Sequence, residues 1–570
     1  MSERRVYLET FGCQMNELDS ELVAGQLRAL GYRFTEDAAD ASVVLYNTCS
    51  VRDLAEQKVR SRLGEMRLRK EKDPRVVVGV LGCMAERDGE SMLRQFPSVD
   101  VLCGPAELDK LPGLLDNAVR TRESLASEEP EPTVRKKDGR TAFASGGRSA
   151  GVIALQGDAS RRSSTLAAAE DRLEMLDLSR SVSPADHNGS AYVRITRGCN
   201  KFCTYCVVPH TRGAEVHRPP DHIVDECKRL ADAGVLEVTL LGQTVNHYRY
   251  EHGAAVTVGG VEQPQKGRTY KGGHRRDVFA GDRVTTFADL LRRIHDEAPG
   301  IRRLRFVTSY PRDFGDDVLE VIRDSPRICR YLHVPAQSGS DAVLKRMNRG
   351  YTVEQYFEFL DRARSFLDEP EKGRPLTVAG DIIVGFCGET EEDFLATRRL
   401  LERARYKNCF IFKYSPRPGT VAFDRIADDV PEEVKRRRCN ELLAVQHEIS
   451  TAVSRAYVGQ TVDVFVEGLS AKHRKKTRAM SERAGGGGLV GLTVGGRSAA
   501  GHTPGAHAGE ATLLETPDDA PQLSGRTDGD LIVVFDCPAG REPGEFVGRI
   551  VPVTVRASSH VTMSGELAGA

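Results

Sequence analysis

Between Ala191 and Ser415 short apolar, strand-like runs recur six times, as AYVRIT, EVTLLG, RLRFVTS, YLHVPAQ, VAGDIIVGF and NCFIFKYS, each followed by a stretch that suits a helix. Strands alternating with helices build a parallel sheet. Six repeats are too few to close an eight-stranded barrel but suit a partial one, whose active site lies at the carboxyl ends of the strands.

The same alternation opens the chain: RVYLET, the amphipathic NELDSELVAGQLRAL closed by Gly31, SVVLYN, a charged helix from about Asp53, and RVVVGVLG. A second, N-terminal α/β domain with a parallel sheet is expected there. From Arg122 to about Asp186 the period decays into charged, Ser/Gly/Ala-rich sequence in which RLEMLDL suits a short helix. Two further stretches, Tyr250 to Arg283 and Ala471 to Pro521, read as solvent-exposed insertions. Around the second lie TVDVFVEG, LIVVFD and IVPVTVRASS, short β-like runs that suit a small β-barrel. The expected fold is therefore α/β throughout, with a β-barrel appended. Its divisions are 4–121, a linker or insertion over 122–186, a (β/α)6 core over 187–450, and a barrel over 457–568 interrupted at about 471–521.

A chain of 570 residues exceeds what one hydrophobic core supports. Its formal net charge of -1 gives no global pull toward nucleic acid, so RNA binding has to come from local surfaces. The basic runs Lys435–Arg438 and His473–Arg478 are ordinarily solvated and do not by themselves indicate RNA; a small β-barrel is the better candidate. No stretch approaches the roughly 20 apolar residues that cross a bilayer. A cytoplasmic chain without membrane contact is expected.

Thirteen cysteines in a chain without a secretion signal argue against a disulfide framework and for metal or catalytic thiolates. Cys199, Cys203 and Cys206 form a C-x3-C-x2-C triplet directly after the first strand of the repeating segment. Thiolates are the usual ligands of iron–sulfur clusters, and three of them leave one iron of a four-iron cluster open to a small molecule. The competing reading is a zinc knuckle completed by His210 or His217. A second set is dispersed: Cys13, Cys49 and Cys83 each follow a predicted strand, and loops at the carboxyl ends of parallel strands meet at one sheet edge. Cys103, Cys227, Cys329, Cys387, Cys409, Cys439 and Cys537 lack ligand spacing and read as structural. Polar and Gly-rich strand ends form a third group that would line the top of the core and contact cofactor: Gly242, Gln243, Gln337, Ser338, Asp381, Gly385, Glu389 and Arg417.

With TFGCQMNELDS, NTCSVRDLAEQK, GCMAER, RGCNKFCTYCVVPHTRG, HVPAQSGSDAVLKRMNRGYT, DIIVGFCGETEEDF and YSPRPGTVA in this order, nearly the whole chain apart from its insertions resembles the tRNA methylthiotransferases. GCQMN with NTCSVR resembles the branch acting on N6-dimethylallyladenosine, rather than those acting on N6-threonylcarbamoyladenosine or a ribosomal-protein residue. The resemblance implies a radical S-adenosylmethionine enzyme with two [4Fe-4S] clusters, the first on Cys199, Cys203 and Cys206, the second on Cys13, Cys49 and Cys83. It implies two S-adenosylmethionine molecules per product, one giving the radical that takes hydrogen from adenine C2 and one the methyl group. It also implies a C-terminal TRAM domain that contacts tRNA carrying isopentenylated adenosine, an electron donor, a sulfur source and a monomer. The reading from another class is a non-catalytic, metal-containing RNA-binding protein.

Overall fold

The computed structural model describes residues 4–50, 53–127, 151–155, 171–180, 188–267, 283–475 and 520–569. Its first sheet has six strands in the order Arg33–Phe34, Arg5–Phe11, Val43–Thr48, Val77–Gly82, Val101–Cys103 and Val152–Ala154. Every pairing is parallel. The two central strands are buried at every position, as expected where helices cover both faces. Alternate residues serve opposite cores: Val44, Tyr46, Val78 and Val80 pack with Val59 and Leu63 of the helix Asp53–Lys72, whereas Val43, Leu45, Val77 and Leu81 pack with Val23, Leu27 and Leu115 of the helices Gln14–Ala29 and Leu111–Ser127.

Part of the expected linker belongs to this body. The helix from Leu111 runs on to Ser127, Val152–Ala154 adds the sixth strand, and the RLEMLDL helix, Arg172–Leu178, buries Leu173, Glu174 and Asp177. A three-residue strand is too short to show a period.

The six repeats of the core form two parallel three-stranded sheets. One contains Ser190–Arg194, Glu237–Leu241 and Arg303–Phe306, the other Tyr331–His333, Thr377–Val384 and Asn408–Lys413. The parallel bridge Leu304↔Ile328 links them. The strands thus follow chain order around an open wall whose edges are Ser190–Arg194 and Asn408–Lys413.

The described stretch from Tyr250 is exposed over most of 252–260, as expected of an insertion, but its two ends are built into the core. Tyr250 is fully buried and donates its hydroxyl to Glu262 Oε1 at 2.6 Å. Arg249–Glu251 pairs with Val284–Thr286, and Gln265–Lys266 pairs with Val216–His217, which in turn pairs with Thr196–Arg197. The segment therefore folds back beside the cysteine loop. Residues 268–282 lie outside the described ones, as do 476–519 of the second insertion.

A closed barrel follows: Thr461–Leu469, Gln522–Arg526, Ile532–Asp536, Thr562–Leu567 and Ile550–Ser558. The second insertion departs between the first two of these strands, whose Leu469↔Leu523 pair closes behind it. The turn Thr527–Leu531 seats against the amino ends of the core strands. Arg303 donates to Arg526 O at 2.7 Å, Arg305 to Asp528 O at 2.9 Å, Thr377 to Gly529 O at 2.8 Å and Lys407 to Asp530 Oδ2 at 2.5 Å. With that end covered, ligands have the carboxyl end.

Candidate active site

The first triplet is held by its backbone. Gly198 has φ +70°, and a Cβ on it would stand 2.0 Å from Ala214 O, so only glycine fits. Thr204 N donates to Met347 O at 3.0 Å, Asn348 Nδ2 to Phe202 O at 3.0 Å, and Ala422 N to Thr204 O at 2.8 Å. Arg349, buried, directs Nη1 to Cys203 Sγ at 3.4 Å. Thr244 Oγ1 lies 3.9 Å from Cys199 Sγ. Burial pushes the Cys199 thiol up to about 11 and the Cys206 thiol further, and neighbouring sulfurs add to both. Such thiols become thiolates at neutral pH when a bound metal supplies positive charge.

Of the two histidines that the zinc reading would use, His210 has a buried Nδ1 without a hydrogen-bond partner among the described residues, while His217 is engaged. His217 Nδ1 accepts from Arg249 N at 3.4 Å and Nε2 faces Glu215 at 3.5 Å. Among the described residues, no three His, Cys, Asp or Glu side chains gather around a single-ion position. A multi-iron cluster holds its thiolates further apart than one ion does.

The second triplet converges as three strand ends. Cys13 caps the helix Gln14–Ala29, Cys49 follows Val43–Thr48, and Cys83 begins the helix Cys83–Asp88. A Cβ on Gly12 would stand 3.0 Å from Cys49 Cβ, and one on Gly82 2.6 Å from Thr48 O. Asn16 staples the loops: Nδ2 donates to Asn47 Oδ1 and Thr48 O, each at 3.0 Å, while Oδ1 accepts from Cys13 Sγ at 3.3 Å. Hydrogen bonding from Cys49, with help from the Arg212 guanidinium, draws the Cys13 thiol down to about 5 against burial.

The segment directly after Cys206 reaches the second triplet, with Thr211 beside Cys83 and Arg212 beside both Cys13 and Cys83. Its helical turn Val208–Thr211 packs on the helix that begins at Cys83. Arg212, from the core, is buried and donates to Asp19 of the N-terminal helix at 2.7 Å.

Residues 5–104 match Uncharacterized protein family UPF0004, and residues 193–401 match the Radical SAM superfamily. A tRNA-2-methylthio-N(6)-dimethylallyladenosine synthase of Rhodopirellula baltica is 43% identical over 472 residues, covering 83% of this chain and 85% of the relative. One of Opitutus terrae is 36% identical over 564 residues, covering 99% and 97%. The chain belongs to this synthase family. A solved radical S-adenosylmethionine methyltransferase of Kitasatospora setae, 15% identical with TM-score 0.42, covers 74% of each chain, a likeness too distant to carry residue roles.

In this family member the polar strand ends divide into two groups. Gly242 leaves room beside Thr196, since a Cβ there would stand 2.1 Å from Thr196 Oγ1. Among the described residues, Thr196 Oγ1 and Gln337 Oε1 are buried without a hydrogen-bond partner. Gln337 is held at φ +71°. Gln243 is half-buried next to Gly242, and Asp381 Oδ1 lies 3.4 Å from His333 Nε2. These can serve a ligand.

Ser338, Gly385, Glu389 and Arg417 have partners within the protein. Ser338 Oγ lies 3.3 Å from Thr397 Oγ1, and Gly385 N donates to Glu389 Oε2 at 2.6 Å. Glu389 also pairs with Arg438 at 2.8 Å, and Arg417 with Glu56 at 2.7 Å. Among the described residues, Glu389 Oε1 is also buried without a hydrogen-bond partner.

Sequence reasoning missed Arg349, Arg212 and the cluster in which Asp313 Oδ2 meets Lys201 Nζ at 2.5 Å and His247 Nε2 at 2.8 Å. Each partner pair is far apart in the chain and carries no spacing signal.

Proposed function

We propose that this chain methylthiolates C2 of N6-dimethylallyladenosine next to the anticodon of tRNA, giving 2-methylthio-N6-dimethylallyladenosine. The carrying observation is that two cysteine triplets each gather at strand ends and that the segment directly after Cys206 packs against the second through Thr211 and Arg212. The family to which the chain belongs supports the choice of substrate.

On this reading Cys199, Cys203 and Cys206 hold one [4Fe-4S] cluster and Cys13, Cys49 and Cys83 the other. Clusters and two S-adenosylmethionine molecules together supply the radical, sulfur transfer and methyl group that no side-chain acid or base can supply. The protein positions them. Arg349 fixes Cys203 and lends it positive charge. The unpartnered Thr196 and Gln337 oxygens offer acceptors for an ammonium or hydroxyl of S-adenosylmethionine. The barrel covers the amino end of the core and confines access to the carboxyl side. We assign the divisions as an N-terminal cluster domain, a radical core and a TRAM-like barrel, the first now extended to include Val152–Ala154. Among the described residues no helix is long and apolar enough to cross a membrane. An electron donor, a sulfur source and a cytoplasmic, monomeric enzyme complete the proposal.

The deciding experiment is mass spectrometry of nucleosides from isopentenylated tRNA after incubation with anaerobically reconstituted protein, reductant, sulfide and S-adenosylmethionine. A methylthio product on the isopentenylated adenosine is expected. 5'-Deoxyadenosine without that product would leave a radical enzyme with another substrate. Absence of both with intact clusters would favour an RNA-binding protein.

A further inference from the structure

The last core strand, Asn408–Lys413, is an edge of the open wall. Its Cys409 and Ile411 are buried in the main core with Leu442 of the helix Glu432–Arg455. Successive strand residues point to opposite faces, so Phe410 and Phe412 lie on the inner, concave side. Phe412 is 40% exposed. The two rings are nearly parallel, at 12°, with centroids 6.5 Å apart.

Their height in the wall follows from contacts. Two residues beyond Phe412, Tyr414 packs on Phe386 at 4.9 Å, and Phe386 packs on Tyr205 of the cysteine loop at 6.3 Å. At about 3.3 Å per strand residue, Phe412 lies roughly 7 Å below that level and Phe410 roughly 13 Å. On the neighbouring strand Asp381 is in register with Phe410, and His333 stands edge-on to Phe410 at 6.4 Å while approaching Asp381 at 3.4 Å. Parallel rings and a carboxylate thus share the concave side below the cysteine loop.

We infer that Phe410 and Phe412 are a stacking platform for the extruded, N6-alkenylated adenine, with Asp381 accepting the single N6–H. The inference rests on the proposed function and adds how the base is received. A purine offers a flat π face, and the dimethylallyl chain offers apolar surface that an exposed phenylalanine can cover. An N6-alkyl adenine keeps one donor at N6, which suits a carboxylate held by His333. A base must leave its stack to reach such a pocket, and an aromatic floor replaces the stacking it loses.

The test uses the full-length, cluster-loaded protein and an anticodon stem-loop with or without the dimethylallyl group. Direct binding and the KM for methylthiolation are measured for wild type, F412A, F410A, F412Y and D381N, alongside iron content and thermal unfolding. For F412A the Kd and KM for the prenylated RNA are expected to rise about 10-fold or more, the preference over the unprenylated RNA to shrink, and iron content to stay at two clusters. F412Y is expected to restore binding, and D381N to weaken it without loss of iron. An F412A protein with wild-type Kd, KM and prenyl preference overturns the platform. So does an F412A defect that tracks lost iron or lost thermal stability and is not repaired by F412Y. If wild type itself makes no product from the prenylated stem-loop, the proposed function fails; if it does and F412A is indifferent, only the platform fails.

Discussion

Arg349 points at the Cys203 sulfur from a position 146 residues away in sequence, while Cys203 itself is placed by a loop that tolerates only glycine at 198. The two observations divide the labour of the site: local backbone geometry sets where the thiols stand, and a distant guanidinium sets the charge around one of them. Replacement Gly198→Ala forces a Cβ into Ala214 O at a positive φ, a strain of about 1–3 kcal/mol or more concentrated on the loop. The expected outcome is a protein that reconstitutes with the iron of one cluster, read by iron and sulfide analysis. The triplets are expected to separate by function. Cys203→Ala abolishes 5'-deoxyadenosine formation, whereas Cys49→Ala retains it and fails to insert the methylthio group, both followed by chromatography of the products. Normal S-adenosylmethionine cleavage by the first variant, or full product from the second, would contradict the assignment.

At the scale of elements, the turn Thr527–Leu531 acts as a stopper in the amino end of the core. Asp530 is its anchor. Burial opposes ionisation of its carboxyl, but Lys407, Arg526 and Arg305 prevail and hold it far below the usual carboxylate range. A carboxylate whose folded pKa is depressed contributes stability that is fully present above its unfolded value, near 4, and lost as pH falls through the folded one. Seating of the barrel is therefore expected to be complete at neutral pH and to weaken below about pH 4. Asp530→Ala leaves the buried Lys407 without its carboxylate while Arg526 keeps Glu467, at a cost of about 3 kcal/mol. Its unfolding in urea at pH 7 should begin at lower concentration than in wild type, with the acid-dependent loss diminished; an unchanged curve would show that the backbone contacts of Arg303 and Thr377 suffice.

Across the whole molecule, a buried chain of ion pairs ties the N-terminal domain to the core. Arg212 and Arg194 approach Asp19, Arg194 also pairs with Asp177 at 2.7 Å, and Arg218 joins Glu174 and Glu226, each at 2.8 Å. Buried networks of this kind are costly to break one-sidedly. Asp19→Ala is expected to lose about 3–5 kcal/mol and to expose the junction between the domains to protease, seen as cleavage between the first domain and the core in limited digestion. Protection equal to wild type would place the junction's strength in the apolar contacts of Met15, Leu18 and Leu22 with Leu241.

What the sequence by itself determined is what short-range pattern can encode. Six strand–helix repeats predict the open parallel wall, because burial on two faces leaves a periodic trace in the chain. C-x3-C-x2-C places three thiols on one loop, and the recurrence of cysteine after three strands predicts their convergence, because parallel strands bring their carboxyl ends to one edge. Tertiary structure alone decided the rest: that Arg349 reaches the Cys203 sulfur and Arg212 the second triplet, that Arg417 pairs with Glu56, that Val152–Ala154 completes a sheet, and that the ends of the Tyr250 segment pair with strands of the core. Those contacts join residues dozens to hundreds of positions apart, and a single pair of distant side chains leaves no period or spacing in the chain that carries it.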